Sequence, residues 1–232
     1  MRVITFFCLL CLAWSCQTDQ TPDIAALEEA VATAATPENQ QQLLDAYNAF
    51  MQANPTDTPQ IAQYLFKSIN VHQQKGETDK SIGLIPLTTT MLAASLYDTT
   101  TLQAKPQVAQ QYVATCELFA KLQPDNAEAP SYLFRAAETA RTTKNFNKAL
   151  GLYDLIYIKY PSFAKAPQAL FLKGFTLDND LKKHDEALAV YKSFLEKHPN
   201  DEFADDTQFL IENLGRSDDE IIKSFESEEE KK

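Results

Sequence analysis

The side chains in this chain that could do chemistry are few, and their spacing does not suit it. The three histidines are His72, His184 and His198. A zinc site takes its His, Cys or carboxylate ligands at short, recurring intervals. No such interval links the histidines to one another or to Cys116, so no metal is expected. His198 stands directly before Pro199, as Tyr160 stands before Pro161, and this reads as an exposed helix end. A phosphate-cradling loop needs closely set glycines, and the chain has only 5 Gly. No Gly-x-Ser-x-Gly elbow for a nucleophilic serine is present. The paired carboxylates Asp205–Asp206 and Asp218–Asp219 fall at expected helix starts, where the helix dipole favours negative charge. No catalytic residue and no cofactor is expected, and the reading is that of a non-enzyme.

The bulk composition points the same way. Of the 232 residues, 44% are hydrophobic and 23% charged, which suits a folded protein. Scarce glycine with abundant Ala, Leu, Lys, Glu and Gln favours helix over a turn-rich β-fold. The formal charge of −11 and the lack of a Lys/Arg cluster argue against a nucleic-acid partner.

Residues 1–15 read as a signal segment. Arg2 supplies a positive start, and Val3 to Trp14 is apolar but too short to span a bilayer. Small Ser15 is followed by Cys16 and a polar stretch. The segment resembles a bacterial lipoprotein signal, which implies lipid on Cys16. Ala13 stands where that family usually has Leu. The other cysteines are Cys8 and Cys11 in the signal and Cys116. A mature chain with Cys16 acylated would therefore form no internal disulfide. Cys116 lies in an apolar helical pattern and is expected to be a small core residue.

The elements that would position any site come from an internal repeat. Residues 145–172 align with residues 183–210 at a shift of 38. Ala149 falls on Ala187, Leu150 on Leu188, Tyr153 on Tyr191, Lys159 on Lys197 and Pro161 on Pro199. Ala166 falls on Ala204, Phe171 on Phe209 and Leu172 on Leu210. The same phrase recurs at Tyr47, Phe50, Met51 and Pro55, and more weakly at Cys116, Phe119, Ala120 and Pro124. From Pro55 to Pro124 is 69 residues, nearly two units. A degenerate unit is expected around Ser81 to Leu96, overlapping a Thr-rich segment, Leu84 to Leu102, that carries Pro86 and reads as a kinked helix and loop. Ala149, Leu152, Tyr153 and Ile156 share one helix face. Proline ends each such helix, and Asn200 and Asp201 are candidates to cap the next one. The helix preceding each phrase carries small residues at its centre, namely Gly174 in one unit and Ala136, Ala137 and Ala140 in another.

Small residue, Ala, aromatic and Pro in this order resemble the tetratricopeptide repeat, whose usual unit is about 34 residues. The units here are 37 to 38, longer than that pattern. They resemble those of the outer-membrane β-barrel assembly lipoprotein and the Tol-Pal cell-division coordinator. The resemblance spans residues 38–215 and is clearest over 127–215. It implies an all-α, right-handed superhelical array of about four to five helix-turn-helix units, with a capping helix. Residues 16–37 would be the lipid tether and N-terminal cap. Residues 216–232 would be a C-terminal capping helix, opened by a Ser217–Glu220 capping box, and a charged tail. The family's groove positions fall on Phe134, Glu138 and Arg141 in one unit and Leu172, Thr176 and Asn179 in the next.

The implied function is a protein-protein interaction scaffold. Lipid-anchored in the bacterial envelope, it would face the periplasm from the outer membrane and serve outer-membrane assembly or envelope organisation. Its expected partners are other envelope proteins or peptides, with the membrane met only through the N-terminal lipid. The alternative is a glycan- or nutrient-binding surface lipoprotein. Against it, the chain's one Trp, Trp14, departs with the signal.

Overall fold

The computed structural model describes residues 22–217, 219, 220, 222 and 223. The signal segment, Cys16 and the tail beyond residue 223 lie outside the described residues. Regular structure among the described residues is all helical, as expected, apart from one isolated bridge between Tyr97 and Ala104. The helices are α1 Ile24–Thr33, α2 Pro37–Ala53, α3 Thr58–Gln74, α4 Thr78–Ser95 and α5 Pro106–Leu122. They continue with α6 Ala129–Thr142, α7 Phe146–Lys159, α8 Ala166–Phe175, α9 His184–Lys197 and α10 Ala204–Glu212. A π-turn, Thr176–Asp180, extends α8. No described helix is long and apolar enough to cross a membrane.

The chain divides into two units, residues 1–46 and 47–232, with the boundary inside α2. In the first unit the Asp23 carboxylate caps α1 by accepting from the Ala26 N–H at 3.1 Å. No side chain of α1 is buried. After a short break helix resumes at Pro37. Proline suits the first helical position because that N–H has no partner in any case. The Thr36 hydroxyl accepts the Asn39 N–H at 3.1 Å and so confines the break to residues 34–36.

In the second unit each helix from α3 to α10 packs on the next in chain order. Three linkers share one form. Helices α5, α7 and α9 end on Gln123, Tyr160 and His198, with φ of −130°, −124° and −133°. A proline follows each and cannot continue the helix. Two backbone bonds then close each linker, Asn126 N–H to Gln123 and Ala129 N–H to Asn126 in the first, with equivalents at 160–166 and 198–204. Asp201 does not cap α10 as expected. It accepts from the Phe203 N–H at 3.0 Å, and α10 begins only at Ala204.

The turns inside helix pairs form a second repeated device. Gly76, Lys144 and Lys182 all have positive φ, at 72°, 62° and 55°. Each lies five residues before a fully buried small residue, namely Ser81, Ala149 and Ala187. In the first two turns an N–H bonds a carbonyl five residues back, Glu77 to His72 at 2.9 Å and Asn145 to Ala140 at 2.7 Å. This is the left-handed helix stop, and glycine takes it with least strain. In the third turn Lys183 reaches back six residues, to Leu177, at 2.7 Å. The extra residue is absorbed by the π-turn. It explains why Pro124 to Pro161 is 37 residues and Pro161 to Pro199 is 38.

The interval from Pro55 to Pro124 holds three helices, α3, α4 and α5, where two full units would hold four. Helix α4 occupies the Ser81–Leu96 stretch and runs through Pro86. The hydroxyls of Thr88, Thr89, Thr90 and Ser95 each donate to the carbonyl four residues back, at 2.8 to 3.0 Å. These bonds let Thr88 and Thr89 enter the core at little polar cost. The second threonine run folds back on Asp98, whose carboxylate accepts from the N–H groups of Thr100 and Thr101. Those bonds hold the Asp98 carboxyl below its usual range. The chain then enters α5 directly, so the alternation of first and second helices slips there.

One core cluster runs from α3 to α8 and a second from α8 to α10, with Leu172 against both. Cys116 is fully buried in the first, and burial pushes its thiol up to about 12. Beyond α10 the Ser217–Glu220 capping box is formed: Ser217 N–H donates to Glu220 at 2.8 Å, and Glu220 N–H to the Ser217 hydroxyl at 3.3 Å.

The helical glycines of the last two pairs, Gly174 and Gly151, should respond oppositely to alanine. A Cβ on Gly174 would lie 2.6 Å from the Tyr191 ring, and Tyr191 is fully buried. Gly174→Ala should therefore destabilise by about 1–3 kcal/mol in urea unfolding. Gly151 is exposed with open space around it, so Gly151→Ala should stabilise by about 0.5–1 kcal/mol. In the first turn, a hydrogen bond from His72 at 2.6 Å, helped by Lys80 and Lys75, lowers the Glu77 carboxyl from 4.5 to about 2. A depressed acid stabilises the fold above its unfolded value and ceases to do so as pH falls through the folded one. Glu77→Gln should melt below wild type at neutral pH, and the gap should close between pH 4.5 and about 2.

Candidate protein-binding surface

The first helices of the two clear pairs, α6 and α8, bury their small residues toward the second helices α7 and α9. Their remaining positions supply the candidate groove. Phe134 and Thr176 are not on an open face. Phe134 is only 3% exposed and meets the rings of Tyr153 and Phe163 edge-on at 6.4 and 6.2 Å. Thr176 is fully buried, and its hydroxyl donates to the Leu172 carbonyl at 2.8 Å. Both belong to the core, because a helix turn that packs on two neighbours leaves little of its surface free. Leu172 is half-buried between the two clusters.

Glu138, Arg141 and Asn179 do reach the surface. Glu138 and Asn179 are exposed and Arg141 is half-buried. Arg141 Nη1 donates to Asp180 Oδ2 at 3.3 Å, and its guanidinium lies over the Phe175 ring at 5.6 Å. The ion pair ties α6 to the π-turn of the next unit. Beside it the fully buried Tyr153 hydroxyl faces the Arg141 side chain, which interacts with it, although neither that hydroxyl nor Arg141 Nε makes a well-aligned hydrogen bond. Burial pushes the Tyr153 phenol up to about 12, an effect that nearby Arg141 partly offsets.

Phe175 also lines a cleft of about 460 Å³ between the π-turn and α10. Leu210, Phe209 and Asn213 form its far wall. On the near side Asp178 is bonded to His184 Nδ1 at 2.8 Å and to the Tyr191 hydroxyl at 3.5 Å. These two contacts fix the π-turn over α9.

Residues 168–201 match a tetratricopeptide repeat family model. That span runs from the first turn of α8 through the π-turn and α9 into the following linker. The chain is similar in fold to three solved structures. BtubC (BKLC) from P. vanneervenii is 13% identical, with 80% of this chain and 82% of that one covered and a TM-score of 0.37. A tetratricopeptide repeat protein from Parabacteroides merdae is 16% identical, covering 81% and 73%, at 0.30. A Podosopora anserina putative kinesin light chain with nearly identical TPR-like repeats is 10% identical, covering 79% and 100%, also at 0.30. No curated protein matches this chain.

Asp180 was not singled out from the sequence, where Tyr153 stood only as a packing residue and Phe209 and Leu210 only as repeat positions. The available signal was the step from 37 to 38 between successive prolines, which marks an inserted residue. Where π-turns occur inside helices, they are frequent at functional sites.

Phe134→Ala should cost about 3–5 kcal/mol in chemical denaturation, the usual range for emptying a buried aromatic site. A loss below about 1 kcal/mol would return Phe134 to the surface set.

Proposed function

We propose that this chain is a non-enzymatic scaffold that holds a polypeptide segment of another protein on the face formed by α6, the π-turn and α10. The observation that carries the reading is the placement of Glu138 and Asn179, solvent-facing on successive first helices, with Asn179 lining an open cleft walled by Phe175 and Leu210. Stacked helix pairs build such faces by repetition, and apolar walls with a few polar groups suit an extended segment. The tetratricopeptide repeat match at 168–201 supports the same class of function. We place the protein in the bacterial cell envelope, held by lipid on Cys16 and exposed to the periplasm, where its partners would be envelope proteins. That placement rests on the signal-like segment alone.

Crosslinking in cells followed by mass spectrometry identifies the partner. Glu138→Ala with Asn179→Ala should reduce its capture several-fold, while stability stays within about 0.5 kcal/mol because both side chains are exposed. Unchanged capture would remove this face from consideration. Palmitate labelling of the full chain should be lost in Cys16→Ala.

A further inference from the structure

Helix α4 turns a face outward that carries no charge. Residues 81–97 hold no Asp, Glu, Lys, Arg or His, and no stretch of the chain runs longer without one. Ser81, Ile85, Thr88 and Leu92 take up the buried side of the helix. The opposite side presents Gly83, Leu87, Thr90 and Ala94, with Tyr97 just beyond the last turn, and all five are exposed. Leu87 and Tyr97 are large side chains left 46% and 47% exposed. The five residues are spaced four, three, four and three apart, the interval that keeps one seam of a helix facing a second helix. The outer faces of the other second helices differ. Gly151 and Leu155 on α7 have exposed Lys148 and Lys159 three or four residues away, and Ala189 on α9 has exposed Glu186 and Lys192. Residues at that spacing share a helix face.

The seam is also self-complementary. Turned end for end about Thr90, it sets Gly83 opposite Tyr97 and Leu87 opposite Ala93 and Ala94, so each large side chain meets a small one. A Cβ on Gly83 would meet nothing within 4 Å, so the space above it is open. Thr90 falls on the axis. Its hydroxyl already donates to the Pro86 carbonyl at 2.9 Å, so covering it leaves no unmet donor. Charge points the same way. Two chains that each carry −11 repel one another, and an uncharged face is where that repulsion is least.

We propose that the outer face of α4 is a homodimer interface, on which a second copy of this chain lays its own α4 antiparallel, about a two-fold axis through Thr90. Such an interface is isologous, so the contact of Gly83 with the partner's Tyr97 is made twice. At 1.5 Å per residue the seam from Gly83 to Tyr97 is about 21 Å long. A contact of that length is small for a permanent complex, so the two copies associate at micromolar rather than nanomolar concentration. Helix α4 contributes no residue to the face assigned to polypeptide binding, so this interface stands apart from the scaffold reading.

Sedimentation of the full chain in density-matched detergent, over a concentration series, should show a monomer–dimer equilibrium. Added salt should tighten it, because salt screens the repulsion between two acidic chains. Leu87→Glu places two carboxylates in the seam and should weaken association about tenfold or more. Its thermal unfolding, followed by circular dichroism, should match wild type because the side chain is exposed. Thr90→Cys should be linked to its own counterpart by an added oxidant and run as a dimer on a non-reducing gel. Wild type and Ala189→Cys should not. A monomer at every concentration, a dimer unaffected by Leu87→Glu, or a dimer that salt weakens would each overturn the interface. Linkage no greater at Thr90→Cys than at Ala189→Cys would overturn it as well. Linkage of Thr90→Cys to a different protein in cells, with the chain itself monomeric, would give the face to that protein instead of a second copy.

Discussion

Tyr191 fits into the interior of its helix pair because Gly174, opposite it, has no side chain. Any Cβ there would overlap the ring, so the closeness of α8 to α9 depends on that one missing methyl group. In the preceding pair Tyr153 is fully buried in the same core as Ala136 and Ala137. Close packing of this kind tolerates small changes of volume poorly. It also sets the angle at which each first helix presents its outer side chains, and therefore where Glu138, Arg141 and Asn179 emerge.

The inserted residue in the second pair shows how the same packing is kept while the surface is changed. Upstream of the insertion Ala140 corresponds to Leu177, and downstream Asn145 corresponds to Lys183. Both helices stay in register with their counterparts, and the surplus is confined to Thr176–Asp180. The turn so created carries Asp178 and Asp180, one bonded to His184 on α9 and the other to Arg141 on α6. A local change in backbone pitch has thus brought acidic groups to the face of a neighbouring unit. Among the described residues the turn of the pair before it shows no equivalent contact and closes with the ordinary five-residue bond.

Helix α4 illustrates a different compromise. A proline and a run of threonines are poor helix material, and a sequence-based reading places irregularity there. The helix survives because the threonine hydroxyls return hydrogen bonds to their own backbone and because Ser81, Ile85, Thr88 and Leu92 are buried. Tertiary burial outweighs local propensity here, as it does in most helices.

Much of the architecture was readable from residue order alone. The helix faces, the proline stops and the buried Ala and Tyr positions follow from spacing, because every helix of this kind must bury one stripe and end where proline removes its donor. The burial of Cys116 and the capping box at Ser217 followed in the same way. What required the folded chain was the arrangement between helices. Phe134 and Thr176 occupy the family's groove positions yet are buried, since burial depends on what packs over a residue and not on its place in a repeat. Pro55 to Pro124 had the length of two units but holds three helices, because length constrains the number of helices only loosely. The pairing of Arg141 with Asp180, and the Tyr153 hydroxyl beside it, join residues 39 and 12 positions apart in the chain. Their proximity arises from the stacking of successive pairs, which no local pattern encodes.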